Sequence, residues 1–168
     1  VVLAPDSFKE SMSAAEAAAA MARGVRVVFP DAECVEVPMA DGGEGTTEAL
    51  VDALGGAWRE VTTVDALGRP ITARYGLTPD ALAVIEVAAA VGIGQIAPGE
   101  RDVMAASSTG VADLVCDALD AGATRLIVGL GGSATTDGGA GLLAGLGAVF
   151  RDADGTVLAP RPDALVGL

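Results

Sequence analysis

Residues Gly129–Gly141 read GLGGSATTDGGAG, fed by the apolar run Leu126-Ile127-Val128 and followed by Leu142-Leu143-Ala144. A short, partly β-branched apolar run that ends in glycines predicts a buried strand entering a tight loop. The Ala/Leu-rich segment beyond it predicts a helix at Gly138–Leu146. Glycines let a backbone turn sharply or approach a ligand closely, and the open N–H groups at the following helix start attract anions. Phosphate is the natural guest. The alternative is a ligand-free strand-to-helix turn, but four polar residues in the loop, Ser133, Thr135, Thr136 and Asp137, argue for more than a turn.

Working outward, the chain opens with the same alternation. Val1–Ala4 predicts a strand, with the first residues of the native product expected before it. Pro5–Glu10 is a polar loop, and Ser13 with Glu16 forms a capping box for an Ala-rich helix at Ala14–Val28. A second strand at Cys34–Pro38 leads into Asp41-Gly42-Gly43-Glu44-Gly45, and Thr46 is the expected cap of a helix at Thr47–Leu54. Strand, loop and helix twice over predict two parallel strands with a right-handed crossover, whose ligands bind beyond the carboxyl ends of the strands. Asp6–Lys9 and Asp41–Gly45 then share one rim.

From Trp58 the texture changes. Arg59–Val64, Ile71–Leu77 and Leu82–Val87 alternate apolar and polar residues between turn signals, which predicts an antiparallel meander. A domain boundary is expected near Thr62–Gly68, dividing the chain into residues 1–64 and 65–168. An Ala-rich turn or short helix at Glu86–Gly92, a helix at Val111–Ala121, a strand at Ala148–Phe150 and a turn at Asp152–Gly155 complete the reading. The fold class is α/β.

Composition narrows the chemistry. A formal charge of −13 argues against nucleic acid, because phosphate backbones demand clustered Lys and Arg. With no histidine the chain cannot assemble a Ser-His-Asp or Cys-His centre, and zinc is a poor prospect. Cys34 and Cys116 are too few for a disulfide framework and read as buried thiols. No apolar run is long enough for a membrane span, so the cytoplasm is the expected compartment and no membrane partner is expected. Nine of the ten basic residues are Arg, which singles out Lys9.

Four constellations carry candidate chemistry. Asp6-Ser7-Phe8-Lys9 places a carboxylate, a hydroxyl and a cation where an anionic substrate could be ordered, or merely initiates a helix. Asp41 and Glu44 on a glycine turn can face one point, as a hard cation or a base-plus-metal pair requires; a structural turn is the alternative. Arg101 could clamp a carboxylate, with Ser107-Ser108-Thr109 before a helix start, or Ser108 or Thr109 could serve as an N-cap. In the glycine loop, Gly131, Gly132, Ser133, Thr135, Gly138 and Gly139 are the candidate phosphate contacts. Gly129–Ala134 also fits G-x-G-x-x-A, with Asp152 or Asp154 about twenty residues on, so an NAD(P)-binding Rossmann domain is the competing reading.

Taken together, APDSFKESMSA at Ala4–Ala14, PMADGGEGT at Pro38–Thr46, the Arg101…Ser108-Thr109-Gly110 segment and GLGGSATTDGGAG resemble the bacterial glycerate kinase family. Thr136 and Val103 stand where that family often has Asn and Pro. The resemblance implies transfer of phosphate from ATP to D-glycerate with Mg²⁺, by a two-domain α/β protein whose flavodoxin-like first domain is completed by later sequence. Members are longer, so further site residues are expected beyond Leu168, and the fragment alone is expected to be short of activity. The roles that follow are Asp41 as base, exchangeable with Asp137, and Glu44, Asp41 or Asp137 on the metal. Lys9 and Arg101 face the substrate carboxylate or phosphate, with Asp6, Ser7 and Ser108 beside them. Homo-oligomerisation is left open.

Overall fold

The computed structural model describes residues 1–8 and 11–166. β1 (Val2–Leu3), α1 (Ala14–Val28) and β2 (Val35–Glu36) form the expected crossover, with Val2 opposite Val35 and Leu3 opposite Glu36 in parallel register. The capping box is present: Ser13 Oγ accepts the Glu16 N–H at 3.2 Å and Glu16 Oε2 accepts the Ser13 N–H at 2.8 Å. α1 buries Ala17, Ala18 and Ala22, side chains small enough for the helix to sit close on its neighbours. The two strands are shorter than expected and leave Val2 and Val35 exposed, since only these two strands make up their sheet among the described residues.

α2 (Thr46–Leu54) starts one residue earlier than its sequence suggests. Thr46 is not the cap. Gly45, in the left-handed region at φ 89°, takes that position, while Thr46 Oγ1 donates to Gly43 O at 2.8 Å and accepts the Gly42 N–H at 3.0 Å. The hydroxyl therefore closes the Asp41–Gly45 loop on itself.

The meander forms as predicted. β3 (Ala57–Val64) pairs antiparallel with β4 (Pro70–Leu77) along its whole length, β4 pairs with β5 (Leu82–Glu86), and β6 (Arg125–Gly129) adds parallel to β5. The division expected after Val64 coincides with the end of β3, where the β3–β4 hairpin turns. α3 (Val87–Val91) and α4 (Thr109–Asp120) cover one face of this sheet around the fully buried Tyr75, Ile85, Leu114 and Val111. α2 covers the other face: a Cβ on Gly76 of β4 would lie 2.2 Å from Val51 Cγ2, so only glycine lets the helix approach there.

Two further expectations change. Residues 148–150 form no strand; the chain makes a single bridge between Arg151 and Val157 and ends in α6 (Pro162–Leu165). Cys116 is exposed and Cys34 half-buried. On α4 the residues buried in the core are Val111, Leu114, Val115 and Ala118, and the helical period turns Cys116 away from them.

A polar network ties this core together. Tyr75 OH donates to Asp117 Oδ2 at 2.7 Å, and Arg59 Nε donates to the same oxygen at 3.1 Å. Burial first, then the neighbouring carboxylate, pushes the Tyr75 hydroxyl up to about 12. The unfolded phenol titrates near 10. A group whose pKa is raised on folding stabilises fully below its unfolded value, so this contribution should be level to about pH 10 and fall away between 10 and 12. Chemical denaturation across that range checks it, and Tyr75→Phe should flatten the fall while costing about 1–2 kcal/mol at pH 7. A Tyr75→Phe protein with an unchanged alkaline profile would disprove the assignment.

Candidate active site

The glycine segment turns out to be a seam between backbones. Gly131 N–H donates to Gly42 O at 3.0 Å, Ile93 N–H donates to Gly132 O at 2.8 Å, and Ala134 N–H donates to Val91 O at 2.8 Å. Thr136 Oγ1 donates to Val103 O at 3.1 Å. The loop thus meets, in chain order, the Asp41–Gly45 loop, the end of α3, the segment after Arg101 and the start of α4. Close approach is what the glycines permit. A Cβ on Gly131 would lie 2.5 Å from Gly43 Cα, and one on Gly141 would lie 2.5 Å from the Thr109 nitrogen. Backbone cannot yield as a flexible side chain can, so Gly131→Ala should separate the two loops. We expect a loss of about 2–3 kcal/mol in equilibrium unfolding; a variant within about 0.5 kcal/mol of the parent would contradict this packing.

Asp137 occupies the position where an external anion was expected. It is 7% exposed, and its carboxylate accepts from Ser108 N–H at 2.7 Å, Ser108 Oγ at 2.8 Å, Gly141 N–H at 3.0 Å and Gly139 N–H at 3.1 Å. These donors come from the starts of α4 and α5 (Ala140–Gly145), whose open amides attract negative charge. The protein supplies that charge itself. The Asp137 carboxylate is thus taken up by protein donors, and the Ser108 hydroxyl, which also accepts the Leu142 N–H at 3.0 Å, is engaged within the protein. Ser108 does take the N-cap position of α4, without the usual bond back to its own helix.

The phosphate cradle contracts for the same reason. Besides Gly131 and Ala134, the Thr135 amide donates to Ser133 Oγ, and Gly139, Ala140 and Gly141 donate to Asp137. Ser133 Oγ and Thr135 Oγ1 are 2.8 Å apart and bonded to each other. Gly138 remains exposed at φ 62°. The Rossmann reading finds no support: α5 has six residues, no parallel strand follows it among the described residues, and Asp152 Oδ1 closes its own turn by accepting from Asp154 and Thr156.

A cavity of about 730 Å³ lies on the α2 side, and its walls include Ser7, Ser13, Glu44, Gly45, Thr47 and Glu86. It joins the first two constellations on one rim, as the parallel crossover predicts. Asp6 is exposed and accepts its neighbour's amide, Ser7 N–H to Oδ1 at 2.6 Å. Asp41 is exposed beside the cavity, its Oδ1 accepting the Gly43 N–H at 3.0 Å, an Asx turn that leaves the rest of the carboxylate to solvent. Lys9 lies outside the described residues. Arg101 is exposed and is not among the cavity-lining residues; it donates to Ile93 O and Ile96 O at 3.3 Å each, and the Ile93 N–H in turn donates to Gly132 O of the glycine loop. Glu86, in the cavity wall, escaped the sequence reading because nothing in LAVIE distinguishes it from an ordinary strand end.

A family model described as the glycerate kinase family matches residues 1–168. The chain belongs to the glycerate kinase family. It is 48% identical over 156 residues to the glycerate 2-kinase of Escherichia coli K12, covering 92% of this chain and 41% of that protein. It is 47% identical over 166 residues to the glycerate kinase of Bacillus subtilis 168, covering 98% of this chain and 44% of the relative. Its fold superposes with a TM-score of 0.85 on a crystal structure described as a glycerate kinase 2 from Salmonella typhimurium LT2, at 48% identity, over 99% of this chain and 46% of that one. This family member thus spans less than half the length of the relatives it matches. The mixed α/β class is borne out, and among the described residues no helix is long and apolar enough to cross a membrane.

Proposed function

We propose that this chain supplies the cavity-forming part of an ATP-dependent glycerate kinase. The observation that supports it best is convergence: the Asp41–Gly45 loop lies between the cavity and the glycine segment, and Ser7 faces Glu44 and Gly45 across one space. That volume suits a small polyol acid together with the reacting end of a phosphate donor.

Phosphoryl transfer depends on positioning and on neutralising charge. The glycerate hydroxyl oxygen forms the new bond to the terminal phosphorus of ATP, the bond from that phosphorus to the ADP oxygen breaks, and the hydroxyl proton passes to Asp41. Ser7 and Lys9 orient the acid. Mg²⁺ supplies charge neutralisation when bound with ATP, and Glu44, one of several carboxylates in the cavity wall and the one carried by the Asp41–Gly45 loop, would hold it. The donor set fits such an ion, which takes one or two protein carboxylates and completes its shell with substrate oxygens and water. Arg101, linked through Ile93 to Gly132 of the glycine loop, serves the polyphosphate in this reading.

The test is glycerate-dependent formation of ADP by the purified full-length protein, with the phosphorylated product followed by ³¹P NMR. Turnover with glycerate and Mg-ATP is the expected result. No glycerate-dependent ADP, or thermal protection by NAD alone, would overturn it.

A further inference from the structure

Glu86 stands at the carboxyl end of β5, paired in register with Gly129 at the end of β6. These are the carboxyl ends of two adjacent parallel strands, where α/β sheets place their ligands. Its Oε1 accepts the Thr47 N–H at 2.6 Å, across 39 residues of chain, and its Cγ lies 3.6 Å from where a Cβ on Gly129 would be. Thr47 is the second residue of α2, whose first turn follows directly on the Asp41–Gly45 loop.

The helix has no cap of its own. Gly45 offers no side chain, Thr46 Oγ1 is engaged with Gly42 and Gly43, and Thr47 Oγ1 is buried without a hydrogen-bond partner among the described residues. A remote carboxylate performs that task. The same side chain lines the cavity beside Glu44.

We propose that Glu86 is a positioning residue: its bond to the Thr47 amide fixes α2, and with it the Asp41–Gly45 loop, against the carboxyl end of the central sheet. This assignment rests on the kinase reading for its effect on turnover, though not for the contact itself. The loop is held from two sides, by Gly42 O to the glycine seam and by Thr47 N–H to Glu86. Releasing the second side lets Asp41 shift relative to the cavity, and a displacement near 1 Å costs on the order of 10²-fold in rate.

The experiment compares Glu86→Ala, Glu86→Leu and Glu86→Gln in the full-length protein, by steady-state kinetics and by hydrogen exchange without substrate. Ala and Leu should lower kcat about 10- to 100-fold with KM for glycerate and ATP within about threefold, while Gln, which keeps the acceptor oxygen, should recover most of kcat. Amides of residues 46–48 should exchange faster in Ala and Leu and as in the parent in Gln. If Ala does not fold, Leu carries the comparison, and Gln with its exchange pattern still decides. Unchanged kcat or unchanged exchange in Ala or Leu would overturn the proposal. So would a Gln variant as impaired as Ala, because charge rather than the bond would then matter. A parent protein inactive on glycerate would sink the kinase reading alone, leaving the exchange data to judge Glu86.

Discussion

Replacing Asp137 with Ala should destabilise the protein by about 4 kcal/mol, the range seen when a buried charged acceptor is taken from several donors at once. Four donors lose their partner: the Ser108 amide and hydroxyl, and the amides of Gly139 and Gly141. All four are parts of the starts of α4 and α5, which water cannot readily serve because Asp137, Ser108 and Gly141 are buried. Hydrogen bonds to a carboxylate are worth roughly 1.5–3 kcal/mol apiece, and the four share one group, so the total is far below their sum. For a chain of this size the change corresponds to a fall in Tm of about 10 °C or more. Asn, which keeps one acceptor oxygen and turns an NH₂ toward donors, should fall between parent and Ala. Calorimetry of both variants decides the matter: a loss below about 1 kcal/mol for Ala would show that Asp137 does not hold these helices together.

Asp41→Asn should leave stability nearly unchanged and lower kcat by roughly 10²–10⁴-fold, the contribution of a general base. Its only side-chain hydrogen bond among the described residues is from the Gly43 amide, and an Asn side-chain oxygen accepts that bond equally well. The loop should therefore keep its shape while losing the group that takes the proton. Asp41 and Asp137 thus separate cleanly, one costing rate without stability and the other stability first. Turnover of Asp41→Asn within threefold of the parent, at matched Tm, would remove Asp41 from the base position.

Much of this architecture is legible in local sequence. The Ser13-Glu16 capping box, the apolar runs of β5 and β6 and the alternation of β3 and β4 each act through neighbours a few residues away, so periodicity and cap chemistry give them correctly. Errors gather where the deciding partner is distant. Thr46 looks like a cap because Thr caps helices, but the Gly42–Gly43 backbone claims its hydroxyl. Residues 148–150 look like a strand, but the chain after α5 does not return to the open edge of the described sheet at β6.

The amino-acid order alone determined that glycines at 129–141 must allow a close backbone approach, since absence of Cβ is a property of the residue itself. It also determined that a strongly acidic, histidine-free chain must look to carboxylates, hydroxyls and few cations for its chemistry. Only the tertiary structure decided what approaches those glycines. The neighbour is the Asp41–Gly45 backbone, and the anion at the helix starts is Asp137, because hydrogen-bond donors are satisfied by whichever acceptor folding brings within 3 Å. Glu86 belongs to the same category: an ordinary glutamate in the sequence, it gains its position from Thr47, 39 residues away.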